Sequence, residues 1–341
     1  MRALQLVTPG RALQISEVPD PGPGRRDVVI DVAAAGICRS DVHYRAGFPE
    51  VGPLPLTLGH EVAGVVRQVG SEVTLCAPGD RVCVHYQVGC GSCDYCRQGF
   101  EQFCGAGAMI GNGRPGGYAE QIVVPDRNVI AVPDSVSLEH AAVMMCSSAT
   151  ALHALRKGRL APGESIAIFG IGGLGMSAVQ LARVEKASRV YAIDINPHKL
   201  DAAAALQAVP IDAGEDPVRQ LQMLGRVDVA LDLVGSATVM EQCLRSLAPM
   251  GRAVAVGLTS DKLPVGPYTD LVTGESELIG ASDHTAAEIV ELLELAATGR
   301  LDLTGVVQQR VPLDADAVNT AMDELERFGD VVRTVIVPNL R

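Results

Sequence analysis

Four cysteines, Cys90, Cys93, Cys96 and Cys104, fall close together in C-x2-C-x2-C-x7-C spacing, with Gly91, Gly99 and Gly105 beside them to allow sharp turns. Thiolates this close can surround one ion tetrahedrally with each sulfur at about 2.3 Å, and four of them leave no position open for a substrate. The spacing therefore reads as a closed structural zinc site. An iron–sulfur cluster is the rival reading and uncoordinated thiols the bland one. Ferredoxin-like runs send their fourth thiolate to another cluster, and no second cysteine group of this kind exists here. Burial as ordinary core cysteines fits poorly, because the residues between them are polar. A metal held this way contributes folding free energy, since no preformed site exists in the unfolded chain.

A second set of reactive side chains is scattered. GICRSDVH carries Cys38, Ser40, Asp41 and His43, PLTLGHEVAG carries His60 and Glu61, and MMCSSATALHAL carries Cys146. Two thiolates and an imidazole on one ion would leave a fourth position for water or substrate. Each also has an ordinary reading: Cys38 and Cys146 as interior thiols, His60 as a satisfied core histidine, Ser40 as a turn hydroxyl, His43 as a surface residue. Their spacing alone does not assemble them.

A third pattern is SIAIFGIGGLGMSAVQLA, with Gly170, Gly172 and Gly175 in G-x-G-x-x-G spacing after a predicted strand and at the start of a predicted helix. In that context the glycines allow a tight turn, close approach of a pyrophosphate and helix–sheet packing, with the helix N-terminus facing negative charge. Gly173 adds room, and Leu174 joins the glycines as a candidate cofactor-binding residue. Asp194 ends the next strand, RVYAID, nineteen residues past Gly175, where a carboxylate is expected on the adenosine ribose hydroxyls. It would repel a 2′-phosphate, so NAD is favoured over NADP, while Lys199 could also touch the ribose. Capping of the helix that begins at Pro197 is a compatible role for Asp194.

The elements that must position these residues fall into two rhythms. With 341 residues the chain exceeds what one core usually organises, so two domains are expected. From Arg2 to about Pro133, β-branched runs such as DVVIDV, EVAGVVRQV and DRVCV alternate with turns such as PDPGPGRRD and APGD, which predicts an antiparallel, barrel-like domain. LEHAAVMMCSSATALHAL then changes to helical spacing. Beyond Pro162, ESIAIF, GLGMSAVQLARVEKA, RVYAI, PHKLDAAAAL, VDVALDLVG, VMEQCLRSLA, RAVAVG and SELIGAS read as strands and helices of a parallel doubly wound sheet. After a helix in TAAEIVELLELAATG, the strands in VVQQRVPL and VVRTVIV are expected to rejoin the first domain.

Composition narrows the function classes. A formal net charge of -12 opposes binding to nucleic acid or anionic membranes. MRALQLVTPG lacks the apolar core of a secretory signal, and no apolar run reaches membrane-spanning length, so a soluble cytoplasmic protein is expected. Nine cysteines, an odd number in a chain of this size, do not resemble a disulfide scaffold.

Together these motifs resemble the zinc-dependent alcohol dehydrogenases of the medium-chain dehydrogenase/reductase superfamily over nearly the whole chain. GHEVAG is similar to that family's zinc signature, GICRSDVH to its catalytic loop, and the four-cysteine lobe to its structural zinc site. The resemblance implies a GroES-like β-barrel catalytic domain at 1–148 and 283–341, with the structural zinc lobe at 88–106, and a Rossmann NAD-binding domain at 149–282, with a cleft between them. It implies catalytic zinc on Cys38, His60 and Cys146, structural zinc on Cys90, Cys93, Cys96 and Cys104, and Glu61 as an alternative ligand. Asp41 would orient the His60 ring. Ser40 would take the alcohol proton and pass it through the coenzyme ribose to His43, and Arg39 would reach the pyrophosphate. Tyr86 and Phe48 would lie along the substrate cleft. The implied reaction moves a hydride between a primary or secondary alcohol and NAD, giving the aldehyde or ketone, in a homo-oligomer, a tetramer rather than a dimer. A polyol dehydrogenase is the alternative within the same chemistry, although Cys146 argues against it. A zincless quinone or enoyl reductase would share the fold without Cys38, His60 and the lobe. A non-enzymatic zinc module fits neither the acidity nor the dinucleotide motif.

Overall fold

The strand Asp27–Gly36 is largely apolar because it lies inside a sheet, paired antiparallel with Glu61–Val69, with Gln121–Pro125 and, near its end, with Thr334–Ile336. Val28, Val29, Ile30 and Val32 are all buried as a result. A computed structural model describes residues 1–340, and the chain divides into two compact units, Met1–Ala149 with His284–Arg341, and Thr150–Asp283.

The first unit is built on that sheet, which has seven strands, beside a three-stranded sheet of Gln14–Glu17, Arg2–Leu6 and Leu56–Thr57. The chain's closing segment does return to it: Thr334–Ile336 pairs parallel with Gln309–Val311. One core runs through the unit, from Leu4 and Leu6 to Met322 and Ile336, and it includes Cys38, Tyr86, Tyr118 and Cys146. Chemistry-bearing residues are therefore set inside packed apolar surroundings, where polar groups must be paired.

The second unit is a six-stranded parallel sheet. In order of its own strands the arrangement is 3-2-1-4-5-6, that of the Rossmann fold, with Ser165–Phe169 as strand 1 beside Val227–Asp232 as strand 4. The order reverses between those two, so the loop at Gly170 opens at the switch point, where doubly wound sheets bind ligands. The edge strand Val209–Asp212 and the helix Pro217–Leu224 go beyond the sequence reading, as do the helical turn Pro267–Leu271 and, in the first unit, the helix Ala315–Glu326. Pro210 cannot donate to a ladder, which is tolerated because this strand lies at the sheet's edge. Asp216 caps the helix by accepting from the Arg219 N–H at 3.0 Å.

Candidate metal centre and nucleotide-binding turn

Three chain segments converge on one buried pocket in the first unit. Cys38 follows the strand Asp27–Gly36 and is the N-cap of the helix Arg39–Ala46. His60 precedes the strand Glu61–Val69. Cys146 lies in a π-helical turn, Met144–Ser148, between the helices Leu138–Val143 and Ala149–Lys157. Such turns insert one residue into a helical ladder and frequently mark functional sites. One ligand atom from each of Cys38, His60, Glu61 and Cys146 lies within 4.8 Å of the others, and all four residues are buried.

The pocket fits a tetrahedral cation. An ion about 2.3 Å from two thiolates at the tetrahedral angle holds their sulfurs about 3.8 Å apart. The Cys38 and Cys146 sulfurs are 3.9 Å apart. His60 Nε2 is buried with no hydrogen-bond partner, as is Glu61 Oε1, and a ligated metal would satisfy the imidazole nitrogen. The charge balance agrees. Cys146's hydrogen bond and His60 hold the Cys38 thiol well below the ordinary thiol range despite burial. Burial opposes charge on His60, yet Asp41 and Cys38 outweigh it and raise its pKa to about 10. A pocket that holds a proton this tightly is rich in negative charge waiting for a cation.

Asp41 organises this pocket from the first turn of the helix. Its Oδ2 accepts the Cys38 backbone N–H at 2.9 Å, the reach-back half of a capping box, and the Tyr118 hydroxyl at 2.8 Å. Its Oδ1 lies 3.2 Å from His60 Nδ1, which leaves Nε2 for a metal. Ser40 and His43 are half-buried on the same helix, three residues apart and so on neighbouring positions of one face. Burial, followed by the Arg39 charge, lowers the His43 pKa, so its imidazole is neutral near pH 7 and able to accept a proton. The Arg39 guanidinium lies 4.1 Å from the Phe328 ring centroid and donates to Leu325 O at 3.3 Å.

Sequence reasoning missed Arg333. Its guanidinium is ion-paired with Glu61 Oε2, and both side chains are buried, at 4% and 0% exposure. A Cβ at Gly36 would collide with the Glu61 carboxylate, so glycine there admits the pair. The signal was an arginine inside the otherwise apolar run VVRTVIV. Tyr86 is 1% exposed, with its ring edge-on to His60 at 5.1 Å and to His284 at 4.9 Å, and its hydroxyl 4.0 Å from Cys146 Sγ. Phe48, in contrast, is exposed.

Cys90, Cys93, Cys96 and Cys104 form the second group of mutually close ligand atoms, half-buried, with the Cys90 and Cys96 sulfurs 4.0 Å apart. The strands Gln87–Val88 and Ala108–Met109 pair at the base of this lobe. Gly91 and Gly99 both take φ of 76°, which favours glycine. Hydrogen bonds from Ser92 and Cys93 bring Cys90 down to about 5, whereas desolvation and the neighbouring thiols push Cys96 up to about 12. One thiolate is stable there unaided, but four require a cation.

In the second unit the glycine turn has the expected form. Gly170 has φ of 93°, Gly172 is the N-cap of the helix Gly173–Val184, and a Cβ at Gly175 would collide with Gly170 O. Nothing lies within 4 Å of a Cβ placed at Gly172, so space stands open at a helix N-terminus, as an incoming phosphate needs. Leu174 is half-buried in the first turn. Asp194 ends its strand and accepts two backbone N–H groups, from Ile171 at 2.6 Å and Asn196 at 2.9 Å. The carboxylate thereby ties the two loops together. The cap of the following helix is Asn196, not Asp194: its side chain accepts from His198 N at 3.0 Å. Lys199 is buried on that helix.

Comparison with known proteins matches each half of this arrangement. An alcohol dehydrogenase GroES-like domain matches residues 24–134 and a zinc-binding dehydrogenase domain matches residues 173–324. The NAD-dependent alcohol dehydrogenase of Sulfurisphaera tokodaii is 33% identical over 353 residues, covering 99% of this chain and 100% of that protein. The alcohol dehydrogenase of Geobacillus stearothermophilus is 35% identical over 87% of this chain and 89% of its own length. Among solved structures, the alcohol dehydrogenase of Aeropyrum pernix superposes with a TM-score of 0.92 at 33% identity, covering 99% of this chain and 100% of that one. With a thiolate–imidazole pocket in one unit, a dinucleotide turn in the other and relatives matched end to end, the chain belongs to the zinc-dependent alcohol dehydrogenases of the medium-chain dehydrogenase/reductase superfamily.

Proposed function

We propose that this chain interconverts a primary or secondary alcohol and its aldehyde or ketone with NAD, using zinc held by Cys38, His60 and Cys146. The observation that carries the reading is the buried pair of sulfurs 3.9 Å apart beside an unpaired imidazole nitrogen. When bound, zinc supplies Lewis acidity that brings a hydroxyl's pKa towards neutrality, and NAD supplies the hydride acceptor. Cys38, His60 and Cys146 would supply three protein ligands, and the chemistry would then need a fourth position for the substrate oxygen. Asp41 fixes the tautomer and direction of His60. With NAD bound, Ser40 would take the hydroxyl proton, and His43, held neutral on the same helix, would receive it and release it to solvent. Glu61 would serve as an alternative ligand to the ion, and Arg333, paired with it in the buried pocket, balances its charge.

On the coenzyme side, the N–H groups at Gly172, Gly173 and Leu174 would hold the pyrophosphate, and Gly170 and Gly175 permit the turn that presents them. Asp194 and Lys199 recognise the adenosine ribose, with Arg39 contributing positive charge to the phosphates. Cys90, Cys93, Cys96 and Cys104 hold a second, structural zinc, so each chain carries two ions. The acidic chain acts in the cytoplasm as a homo-oligomer, a tetramer rather than a dimer, which sedimentation at working concentration tests. None of the helices among the described residues is long and apolar enough to cross a membrane.

The test is turnover of primary, secondary, benzylic and polyhydroxy alcohols with NAD and with NADP, alongside metal analysis. Oxidation of simple alcohols by enzyme holding two zinc ions supports the reading. Full zinc loading without NAD reduction by any alcohol overturns it.

A further inference from the structure

Tyr118 belongs to none of the motifs above, yet it touches the supports of two metal ligands at once. We propose that Tyr118 is a positioning residue for the metal centre, its hydroxyl anchoring the Asp41 carboxylate and its ring fixing the approach of the chain to His60. The inference rests on the zinc-site reading given above.

The hydroxyl lies 2.8 Å from Asp41 Oδ2 and 3.4 Å from Gly36 O, and a phenol has one proton to donate, so the shorter contact takes it. Asp41 Oδ2 also accepts the Cys38 N–H at 2.9 Å, while Oδ1 faces His60 Nδ1 at 3.2 Å. Tyr118, Asp41 and His60 are each 0% exposed, so no solvent can replace a missing partner. With the phenol and the Cys38 N–H both on Oδ2, the carboxylate cannot turn about its bond to Cβ without losing two hydrogen bonds. Oδ1 is thereby kept on His60, and His60 Nε2 on the metal.

The ring acts on the other side of the same ligand. It occupies the space beside Gly59, the residue before His60, where any Cβ would collide with the aromatic carbons and where φ is 93°. The backbone carrying the tyrosine is strapped to the segment leading into His60: Gly116 N donates to Thr57 O at 2.8 Å, Gly117 N to Gly59 O at 2.8 Å, and Tyr118 N to Leu58 O at 3.0 Å. A Cβ at Gly116 would strike the Leu58 and Gly59 carbonyls, and one at Gly117 would strike Val62. The glycine pair therefore admits the close approach, and the tyrosine uses it.

Core filling is the simpler account, since Tyr118 is part of the main apolar cluster. The two accounts separate in Tyr118→Phe, which keeps the ring and removes only the hydroxyl. A purely structural role lowers the melting temperature but leaves zinc affinity alone. A positioning role weakens binding at the Cys38–His60–Cys146 site, on the scale of about 10-fold or more seen when partners of metal ligands are removed. Zinc affinity is measured on the full-length protein by chelator competition, resolving the two sites, and the visible bands of Co2+ exchanged into the centre report ligand geometry. We expect weaker binding at the centre, unchanged binding at the four-thiolate lobe, and shifted cobalt bands. Two ions bound with wild-type affinity and unshifted bands in Tyr118→Phe would overturn the role of Tyr118 while leaving the metal site standing. Wild-type protein holding zinc only in the lobe would instead overturn the metal-site reading, and this inference with it.

Discussion

Replacing Asp194 with Asn probes coenzyme choice and loop architecture together. The side chain keeps its volume but loses its charge, and it has one oxygen where the carboxylate offers two. The Ile171 and Asn196 N–H groups, at 2.6 and 2.9 Å, therefore cannot both be satisfied. One unmet donor costs about 1–3 kcal/mol when fully buried, and Asp194 is only half-buried, so about 1 kcal/mol is expected. The electrostatic effect is larger. Two like charges about 4 Å apart repel by about 1 kcal/mol in bulk water and about 4 kcal/mol near a protein surface. Removing one should lower the ratio of kcat/KM for NAD to that for NADP by about 5- to 1,000-fold, since each 1.4 kcal/mol is tenfold. Steady-state kinetics with both coenzymes measures the ratio, and thermal unfolding measures the stability cost separately. A variant that unfolds a few degrees early but keeps the wild-type ratio would refute the ribose role and reduce Asp194 to a loop tie.

Other expected outcomes follow from the pocket. Cys38→Ser removes a thiolate ligand, and turnover should fall by more than about 100-fold, beyond the usual loss for a ligand's partner, while NADH fluorescence titration still reports binding. Preserved turnover would remove Cys38 from the site. Arg333→Leu leaves the buried Glu61 carboxylate without its partner. A broken buried pair costs about 3–5 kcal/mol, and zinc should recover part of it, so metal-free variant should lose more thermal stability than loaded variant; equal losses would contradict the shared charge balance. His85 is buried with its ring beside those of Tyr86 and His284, and this burial lowers its pKa to about 4, below its unfolded value near 6.5. The unfolded chain then binds more protons between these values, so stability is lost as pH falls through that window. Between pH 7 and 5 the wild type should lose about 2 kcal/mol more than His85→Phe in denaturant titrations, and parallel losses would show that His85 is not held neutral.

Much of the architecture was legible because its signals are local. The four-thiolate lobe needs only neighbouring residues and turn glycines, and the dinucleotide turn needs only a strand, a glycine pattern and a helix in succession. Pro210 weakens the strand signal of Val209–Asp212, although the following helix carries its own start and stop in Asp216, Pro217 and Gly225. The metal pocket was legible only in part. Cys38, His60 and Cys146 come from three distant segments, and family resemblance rather than spacing joined them. No local pattern could show that Arg333 neutralises Glu61, that Tyr118 braces Asp41, or that a π-helical turn carries Cys146, since each depends on contacts across more than 70 residues or on a helix irregularity. Asn196 caps the helix because it directly precedes Pro197, whereas Asp194, two residues earlier, accepts the Ile171 and Asn196 N–H groups.

The central claim is a zinc ion shared by Cys38, His60 and Cys146, and anomalous diffraction at the zinc edge from crystals of the purified enzyme tests it most directly. Two peaks per chain are predicted, one inside the lobe and one about 2.3 Å from the sulfurs of Cys38 and Cys146 and about 2.0–2.1 Å from His60 Nε2. A fully loaded, active enzyme with anomalous density only at the lobe would contradict it.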